Sequence, residues 1–188
     1  MISSDCSAVQ ETSDLIQQSD SADYCFVKAK QMNINYTFSY NGQILSQKLV
    51  RVVCDAVPGA DEFITDTRIK LFLEQLQQKA GLLVEEAIRA IVLLHRFIVK
   101  QSAKDIQVLK VSNVGTLIII SFILAMKLNR DKIPNNRFFA NMFGIHIFNL
   151  NLSEISFLQI IDFETWVEFE NHSLFQVVPL INETIIIQ

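Results

Sequence analysis

Glycine, proline and cysteine are scarce in this sequence. Its 188 residues include only 5 Gly, 3 Pro and 3 Cys, whereas 50% are hydrophobic and 14 are Phe. Because glycine and proline interrupt regular elements, this composition predicts a compact helical protein, and the length predicts one main domain. The cysteines are Cys6, Cys25 and Cys54, and no C-x-x-C or Cys/His spacing joins them. We therefore expect neither a disulfide framework nor a zinc site, and an intracellular setting in the cytoplasm or nucleus.

An excess of positive charge is missing too. The sequence has 16 Lys and Arg against 20 Asp and Glu, a net charge of −4. Surfaces that bind nucleic acid usually carry a basic patch, so we expect no nucleic-acid partner. The first residues, Met1 to Asp5, contain neither a basic n-region nor an apolar h-region, which predicts that they are not a signal peptide.

The sequence also lacks a recognisable catalytic pattern. His95, His146 and His172 are scattered, with no carboxylate or cysteine at metal-ligand spacing. No glycine-rich loop of the kind that cradles phosphate is present. We expect no catalytic residue, no metal or cofactor site and no small-molecule substrate.

One long apolar run, from Leu117 to Met126, superficially resembles a membrane segment. With its flanks it reaches only about 13 residues, and a bilayer span needs about 20. A helix that is apolar on all sides is otherwise found buried in the middle of a bundle. The run therefore predicts a central buried helix and no membrane span.

Helical spacing of apolar residues, together with capping residues, predicts five helices. The predicted helices run from Asp66 or Thr67 to Lys79 with Gly81 as the stop, from Val84 to about Lys100, from Ser112 or Asn113 to near Leu128, from Pro134 and Asn135 to Gly144, and from Leu152 to Ile161. On the second helix, Glu85, Glu86 and Arg89 are expected to lie outside the apolar stripe. The predicted core centres on the third helix, with Ile118, Ile119, Phe122 and Leu124 enclosed by Leu73, Leu94, Phe139, Phe157 and Leu158.

The N-terminal part follows other patterns. Residues 1–24 are rich in Ser, Asp and Gln and predict a flexible tail. Residues 33–40 alternate polar and apolar side chains, as a strand does. Asn41-Gly42 follows as a turn signal, and residues 43–50 would form the second strand, so the segment predicts a β-hairpin. The alternative is a helix packed on the following domain. We divide the chain into a tail at 1–24, an extension at 25–60, a helical domain at 61–168 and a C-terminal extension at 169–188.

The order of short motifs within the helical region resembles a cyclin box. The motifs are Leu94-His95-Arg96-Phe97-Ile98, the apolar run ending on Lys127, Asn135-Asn136-Arg137-Phe138-Phe139-Ala140, Gly144-Ile145, and Leu150-Asn151-Leu152-Ser153-Glu154 leading into Phe157-Leu158. The resemblance covers roughly Ile64 to Trp166 and is closest to the short single-box cyclins of the fungal phosphate-response and plant P/U type. It implies an all-α fold, a five-helix cyclin box with a buried central third helix, to which the N-terminal hairpin and a short C-terminal extension would be added.

The resemblance also implies a function and two site residues. Cyclins bind a protein kinase and have no chemistry of their own, so the expected partner is a cyclin-dependent protein kinase, and the protein is not an enzyme. The family's kinase-facing lysine and glutamate fall on Lys127 and Glu154. Each also has a structural interpretation, because a lysine at a helix C-terminus and a glutamate in a first helical turn are favoured by the helix dipole.

Departures from the family pattern support a second hypothesis. His95-Arg96 stands where the family has Asp-Arg, and Gly115-Thr116 where it has His-Arg; the substrate-docking motif is absent, since Thr65 to Ile69 occupies its place. The chain could therefore be a degenerate box that serves as a structural, non-catalytic subunit of a larger assembly. A further hypothesis is that Asp66 pairs with His95, which would preserve the family's Arg–Asp contact with the charges exchanged. The alternative is that His95 lies at the solvent edge and that a gap displaces the count.

Overall fold

The computed structural model describes residues 42–167, and every regular element in that range is helical. This part of the chain forms six α-helices: α1 (residues 42–56), α2 (Asp66–Ala80), α3 (Val84–Ala103), α4 (Val114–Asn129), α5 (Asn136–Phe143) and α6 (Ile147–Ile160), with a short 3-10 turn at Ala60–Glu62. For these residues the all-α class is confirmed, with one helix more than the five predicted. The predicted tail at 1–24 and the extension at 169–188 lie outside the described residues.

The additional helix is α1, and it corrects the predicted hairpin. Residues 43–50, expected to form the second strand, are helical, and residues 33–41 lie outside the described part of the chain. Leu45, Leu49 and Val53 are buried at four-residue spacing, which is the period of a helix face and not of a strand. The prediction gave too much weight to Asn41-Gly42, because the apolar residues after it repeat every four positions.

Capping sets the ends of α2. The N-cap is Thr65, whose Oγ1 accepts a hydrogen bond from the Arg68 N–H at 3.4 Å. Gly81 ends the helix with φ 64°, a left-handed conformation that glycine adopts without a Cβ clash, and its N–H donates to the Gln77 carbonyl at 3.0 Å. The predicted stop at Gly81 is therefore confirmed, and the predicted N-cap, Asp66 or Thr67, is one or two residues late.

Helix α4 is the centre of the core. It packs most extensively on α3 and then on α6, and Phe122 meets Phe72 of α2 edge-on, with ring centroids 5.1 Å apart. Most of the predicted core residues are buried: Ile118, Phe122, Leu124, Leu73, Leu94, Phe139 and Phe157. Ile119 and Leu158 are half-buried instead. No helix within residues 42–167 is long and apolar enough to cross a membrane.

A buried ion pair, which was not predicted, stabilises the end of α4. Glu86, expected on the outer face of α3, has no exposed surface. Both of its carboxylate oxygens accept hydrogen bonds from the Arg130 guanidinium, with Nε to Oε1 at 2.5 Å, and the Leu83 N–H donates to Oε2 at 2.9 Å. Arg130 also donates to the Ala80 and Gly81 carbonyls at 2.8 and 2.7 Å. The residue after α4 thus joins the end of α2 to the start of α3.

The segment after α6 is held by a row of cations on α3. Arg96 donates to the carbonyls of Glu164 and Trp166. Lys100 pairs with Asp162 at 3.1 Å and with Glu164 at 2.7 Å. A third cation of the row, Lys104, reaches Asp162 at 2.5 Å. Because the three cations recur every four residues, one face of α3 fixes the direction in which the chain leaves α6.

Candidate partner-binding surface

Lys127 and Glu154 meet in the structure. Lys127 lies in the last turn of α4 and Glu154 in the middle of α6, and the Lys127 Nζ is 2.5 Å from the Glu154 Oε1. Their side chains are 31% and 13% exposed, so the pair is half-buried at the protein surface. The helix dipole would favour each residue on its own helix, but it would not bring together two residues that are 27 positions apart in the sequence. Since α6 begins at Ile147, Glu154 does not lie in the first turn, and the capping interpretation does not apply to it.

Helix packing holds both side chains in place. The turns of α4 before Lys127 are fully enclosed, with Ala125 and Met126 buried, so the lysine projects from a rigid helix end. Glu154 is fixed because Leu150 and Phe157, one turn to either side, are buried. Phe157 also stacks on Phe97 of α3, with centroids 4.7 Å apart.

Two asparagines, Asn136 and Asn151, complete this cluster, and neither was predicted as a site residue. Asn136, the first residue of α5, donates through Nδ2 to the Glu154 Oε2 at 2.6 Å and to the Asn151 Oδ1 at 2.8 Å. The helix start at Asn136 is set by Asn135, whose side chain accepts from the Phe138 N–H at 3.1 Å. The buried Oδ1 of Asn136 accepts no hydrogen bond. In the sequence, Asn135-Asn136 indicated a helix start and one motif of the cyclin-box resemblance, but no contact with Glu154.

The cluster keeps hydrogen-bonding capacity for a partner. An ammonium group has three donors, and one is directed at Glu154, so Lys127 can still donate to a carbonyl oxygen. The Glu154 Oε1 accepts a hydrogen bond from Lys127 and its Oε2 accepts one from Asn136, and each oxygen can accept another. A donor and an acceptor side by side match the C=O and N–H groups of a peptide backbone.

Apolar side chains border the cluster on α6. Phe148, Leu152 and Ile155 are 64%, 53% and 53% exposed and follow one another at helical spacing, so they form a single stripe. Asn151 lies four positions before Ile155 and three before Glu154, which places the stripe beside the cluster. A solvent-exposed row of large apolar residues is typical of an interaction surface.

The departure at Gly115-Thr116 leaves open space at the start of α4. Gly115 is exposed, and a Cβ there would meet no atom within 4 Å. Thr116 lines a cavity of about 200 Å³ together with Phe97, Ser153 and Ser156. The backbone at Gly115 therefore leaves room for a Cβ, and the difference from the family pattern lies in the polar groups that are missing.

The predicted Asp66–His95 pair is wrong. Asp66 accepts a short hydrogen bond from the Ser46 hydroxyl of α1, which itself is fully buried. No ion pair joins Asp66 to His95 among the described residues, and His95 is exposed on a groove between α1 and α3. The hypothesis considered only His95 as a partner, whereas Ser46 on α1 donates a hydrogen bond to Asp66.

The comparison with protein families shows which family this chain belongs to. The family model described as Cyclin matches residues 4–165, so the chain is a member of the cyclin family. Members of that family are regulatory and generally non-enzymatic subunits with protein partners. The comparison with curated proteins and the comparison with solved structures found no significant match. Within residues 42–167, no group of three or more His, Cys, Asp or Glu side chains could hold a metal ion.

Proposed function

We propose that this cyclin-family chain is a regulatory subunit that binds a cyclin-dependent protein kinase and stabilises the active conformation of that kinase. The observation that carries the proposal is the Lys127–Glu154 ion pair, formed by the two residues that align with the family's kinase-facing positions. Each lies on a helix that is anchored by buried neighbours, Ala125 and Met126 on α4 and Leu150 and Phe157 on α6, and such a rigid surface loses little entropy when it docks. A kinase partner also favours an intracellular location, in the cytoplasm or nucleus.

The chemistry of the surface fits a helical partner. The donor and acceptor at Lys127 and Glu154 suit the unpaired backbone groups at a helix end, and the stripe of Phe148, Leu152 and Ile155 suits an apolar helix face. A kinase's regulatory helix supplies both features. The motif spacing further favours the single-box cyclins of the phosphate-response and P/U type as the nearest group.

Binding measurements with purified partner test the proposal. The full chain would be recovered from native cells, and a kinase bound at one-to-one stoichiometry would be purified and titrated by calorimetry. Lys127→Ala or Glu154→Ala is expected to weaken binding by about 2 kcal/mol, roughly 30-fold, because each removes a charge-assisted hydrogen bond at a desolvated interface. Kinase activity on a peptide substrate should rise when the wild-type chain is added.

A matched control is Lys132→Ala, since Lys132 is an exposed lysine just beyond α4. It should leave affinity unchanged. Equal affinity of both Lys127→Ala and Glu154→Ala with the wild type would eliminate the proposed role of the pair.

The second candidate is a structural subunit of a larger assembly that contains no active kinase. The absence of the family's polar side chains at Gly115 and Thr116 favours it. The same recovery experiment separates the two candidates. A stable set of non-kinase proteins, with no kinase at matching stoichiometry, would support the structural role.

A further inference from the structure

A cavity of about 200 Å³ lies between α3, α4 and α6, at the opposite end of α4 from Lys127. Neither Lys127 nor Glu154 lines it. Leu152 lines the cavity and is also a member of the exposed stripe on α6. The cavity therefore opens beside that stripe and continues the surface that the proposed function assigns to a partner.

The floor of the cavity is apolar and partly aromatic. Phe97, Leu117 and Phe157 line it, and all three are buried. The rings of Phe97 and Phe157 stack on each other with centroids 4.7 Å apart. An aromatic side chain that entered the cavity would contact these two rings, and contacts between aromatic rings add stabilisation beyond the burial of their area.

Three hydroxyl groups lie above this floor. They belong to Thr116 on α4 and to Ser153 and Ser156 on α6, and each of these residues is half-buried. Within residues 42–167, none of the three hydroxyls forms a hydrogen bond. The hydroxyls of Ser102 and Ser121, by contrast, donate to carbonyls of their own helices at 3.0 and 2.7 Å. The rim of the cavity thus has donors and acceptors available for a ligand.

The remaining wall is a loop that two side chains hold in place. The N–H groups of Val108, which lines the cavity, and of Leu109 donate to the Gln101 Oε1 at 3.2 and 3.0 Å. Asn113 donates through Nδ2 to the Val108 carbonyl at 2.8 Å and accepts from the Lys110 N–H at 2.9 Å. The cavity is therefore preformed, which reduces the entropy that binding would cost.

We propose that this cavity binds a phenylalanine side chain of a protein partner, and that the partner's backbone beside this residue bonds to the rim hydroxyls. An apolar cavity of about 150 Å³ holds one benzene molecule, so this cavity has room for one phenyl ring. A leucine would lose the contacts between rings, and a tyrosine would bury its hydroxyl against the apolar floor without a hydrogen-bond partner. The partner segment that supplies the phenylalanine would also cover the stripe on α6.

Nuclear magnetic resonance titration of the full-length, isotope-labelled chain tests this site. The probes are N-acetyl-phenylalaninamide and its tyrosine and leucine analogues, which carry the backbone groups of a peptide. The phenylalanine probe should shift the amide resonances of Leu117, Ser153 and Ser156. It should bind at least about 5-fold more tightly than the tyrosine probe and at least about 2-fold more tightly than the leucine probe. No kinase is present, so a failure here is distinguishable from a failure of the proposed function.

Substitutions in the cavity should weaken binding of the phenylalanine probe. Thr116→Val removes one rim hydroxyl at nearly constant shape and should reduce affinity about 2- to 10-fold. Ser156→Leu fills part of the cavity and should reduce affinity at least about 10-fold, because the ring no longer fits. The matched controls are Thr67→Val and Ser102→Leu, at exposed helical residues that do not line the cavity, and both should bind like the wild type.

Four results would overturn the proposal. Equal affinities for the phenylalanine and tyrosine probes would show that the floor does not select an apolar ring. Equal losses in the control variants would show that the probe binds nonspecifically. Affinities like that of the wild type in Thr116→Val and Ser156→Leu would place binding elsewhere, and if Ser156→Leu does not fold, Thr116→Val decides. Shifts of the same resonances on dilution of the chain alone would show that a second copy of this chain fills the cavity.

Discussion

Helices α4 and α6 have similar apolar sequences but different surroundings. Of the 16 residues of α4, ten are buried, whereas only three of the 14 residues of α6 are buried: Leu150, Phe157 and Ile160. Helix α4 is enclosed by its neighbours, and Phe122 has no exposed surface. Helix α6 covers one side of α4 and leaves Phe148, Leu152 and Ile155 in solvent.

This difference shows that an apolar helix in a small protein can be either a core element or a docking surface. The run from Leu117 to Met126 has no polar face and is buried except at the half-buried Ile119, close to what the sequence predicted. On α6, the apolar residues exceed those that the core can contact. The excess is explained if a partner covers the outer face, which is the arrangement that the proposed function requires.

The ends of the two helices differ in the same way. Arg130, directly after α4, pairs with Glu86 where no solvent reaches the carboxylate. Asp162, shortly after α6, pairs with Lys100 and Lys104 on the exposed face of α3. Removing one partner from a buried pair leaves a charge without compensation, whereas solvent screens the exposed groups.

The largest expected effect separates the two helices directly. Phe122→Ala should lower the free energy of unfolding by about 3–5 kcal/mol, because it opens a cavity at the centre of the core and removes the ring contact with Phe72. Phe148→Ala, the matched change on α6, should stay within about 0.5 kcal/mol of the wild type because its ring is already in solvent. Urea denaturation followed by circular dichroism measures both. Similar losses in the two variants would contradict the assignment of α4 as core and of Phe148 as surface.

The next largest effect concerns the buried ion pair between Glu86 and Arg130, which follows α4. Arg130→Met should destabilise the fold by about 3 kcal/mol, since Glu86 would stay buried without its partner. In the double variant Glu86→Gln and Arg130→Met, much of this loss should be recovered because no uncompensated charge remains. A double variant that is no more stable than Arg130→Met alone would show that the guanidinium acts mainly by joining Ala80 and Gly81 to α3.

A smaller effect is expected on the exposed face of α6, and there it should appear in binding. Leu152→Ser and Ile155→Ser should each weaken partner binding by about 1–2 kcal/mol, the range for removing a buried apolar contact at an interface. Their free energies of unfolding should change little, so denaturation and calorimetry with the purified partner must be measured together. If the affinity of a variant fell only as far as its folded fraction fell, the result would argue against a docking role for the stripe.

Local signals predicted the helices well, and long-range contacts were the part that could not be predicted. Gly81 and Asn135 mark helix ends because capping involves residues a few positions apart. The Glu86–Arg130 pair joins residues 44 positions apart, and no periodicity connects them. For the site, the resemblance identified Lys127 and Glu154, whereas Asn136 could be found only once α5 was seen to lie against α6.

The smallest effect is the pH dependence of the exposed pairs after α6. Hydrogen bonds from Lys104, and then from Lys100, lower the pKa of Asp162, whereas the hydrogen bonds that Lys100 donates to Glu164 and Asp162 raise the pKa of Lys100. Because the folded-state pKa of Asp162 lies below its unfolded value of about 3.9, its stabilising contribution is complete above that pH and is lost as the pH falls further. The raised pKa of Lys100 gives the opposite sign, so its contribution is complete below about pH 10.4 and is lost at higher pH.

Lys104→Gln should therefore be slightly less stable than the wild type at pH 7, and the difference should vanish near pH 2. Urea midpoints at the two pH values measure this, with the exposed Lys110→Gln as control. A difference between Lys104→Gln and the wild type that persists at acid pH would show that Lys104 acts through the Ile160 carbonyl, to which its Nζ donates at 3.0 Å, and not through Asp162.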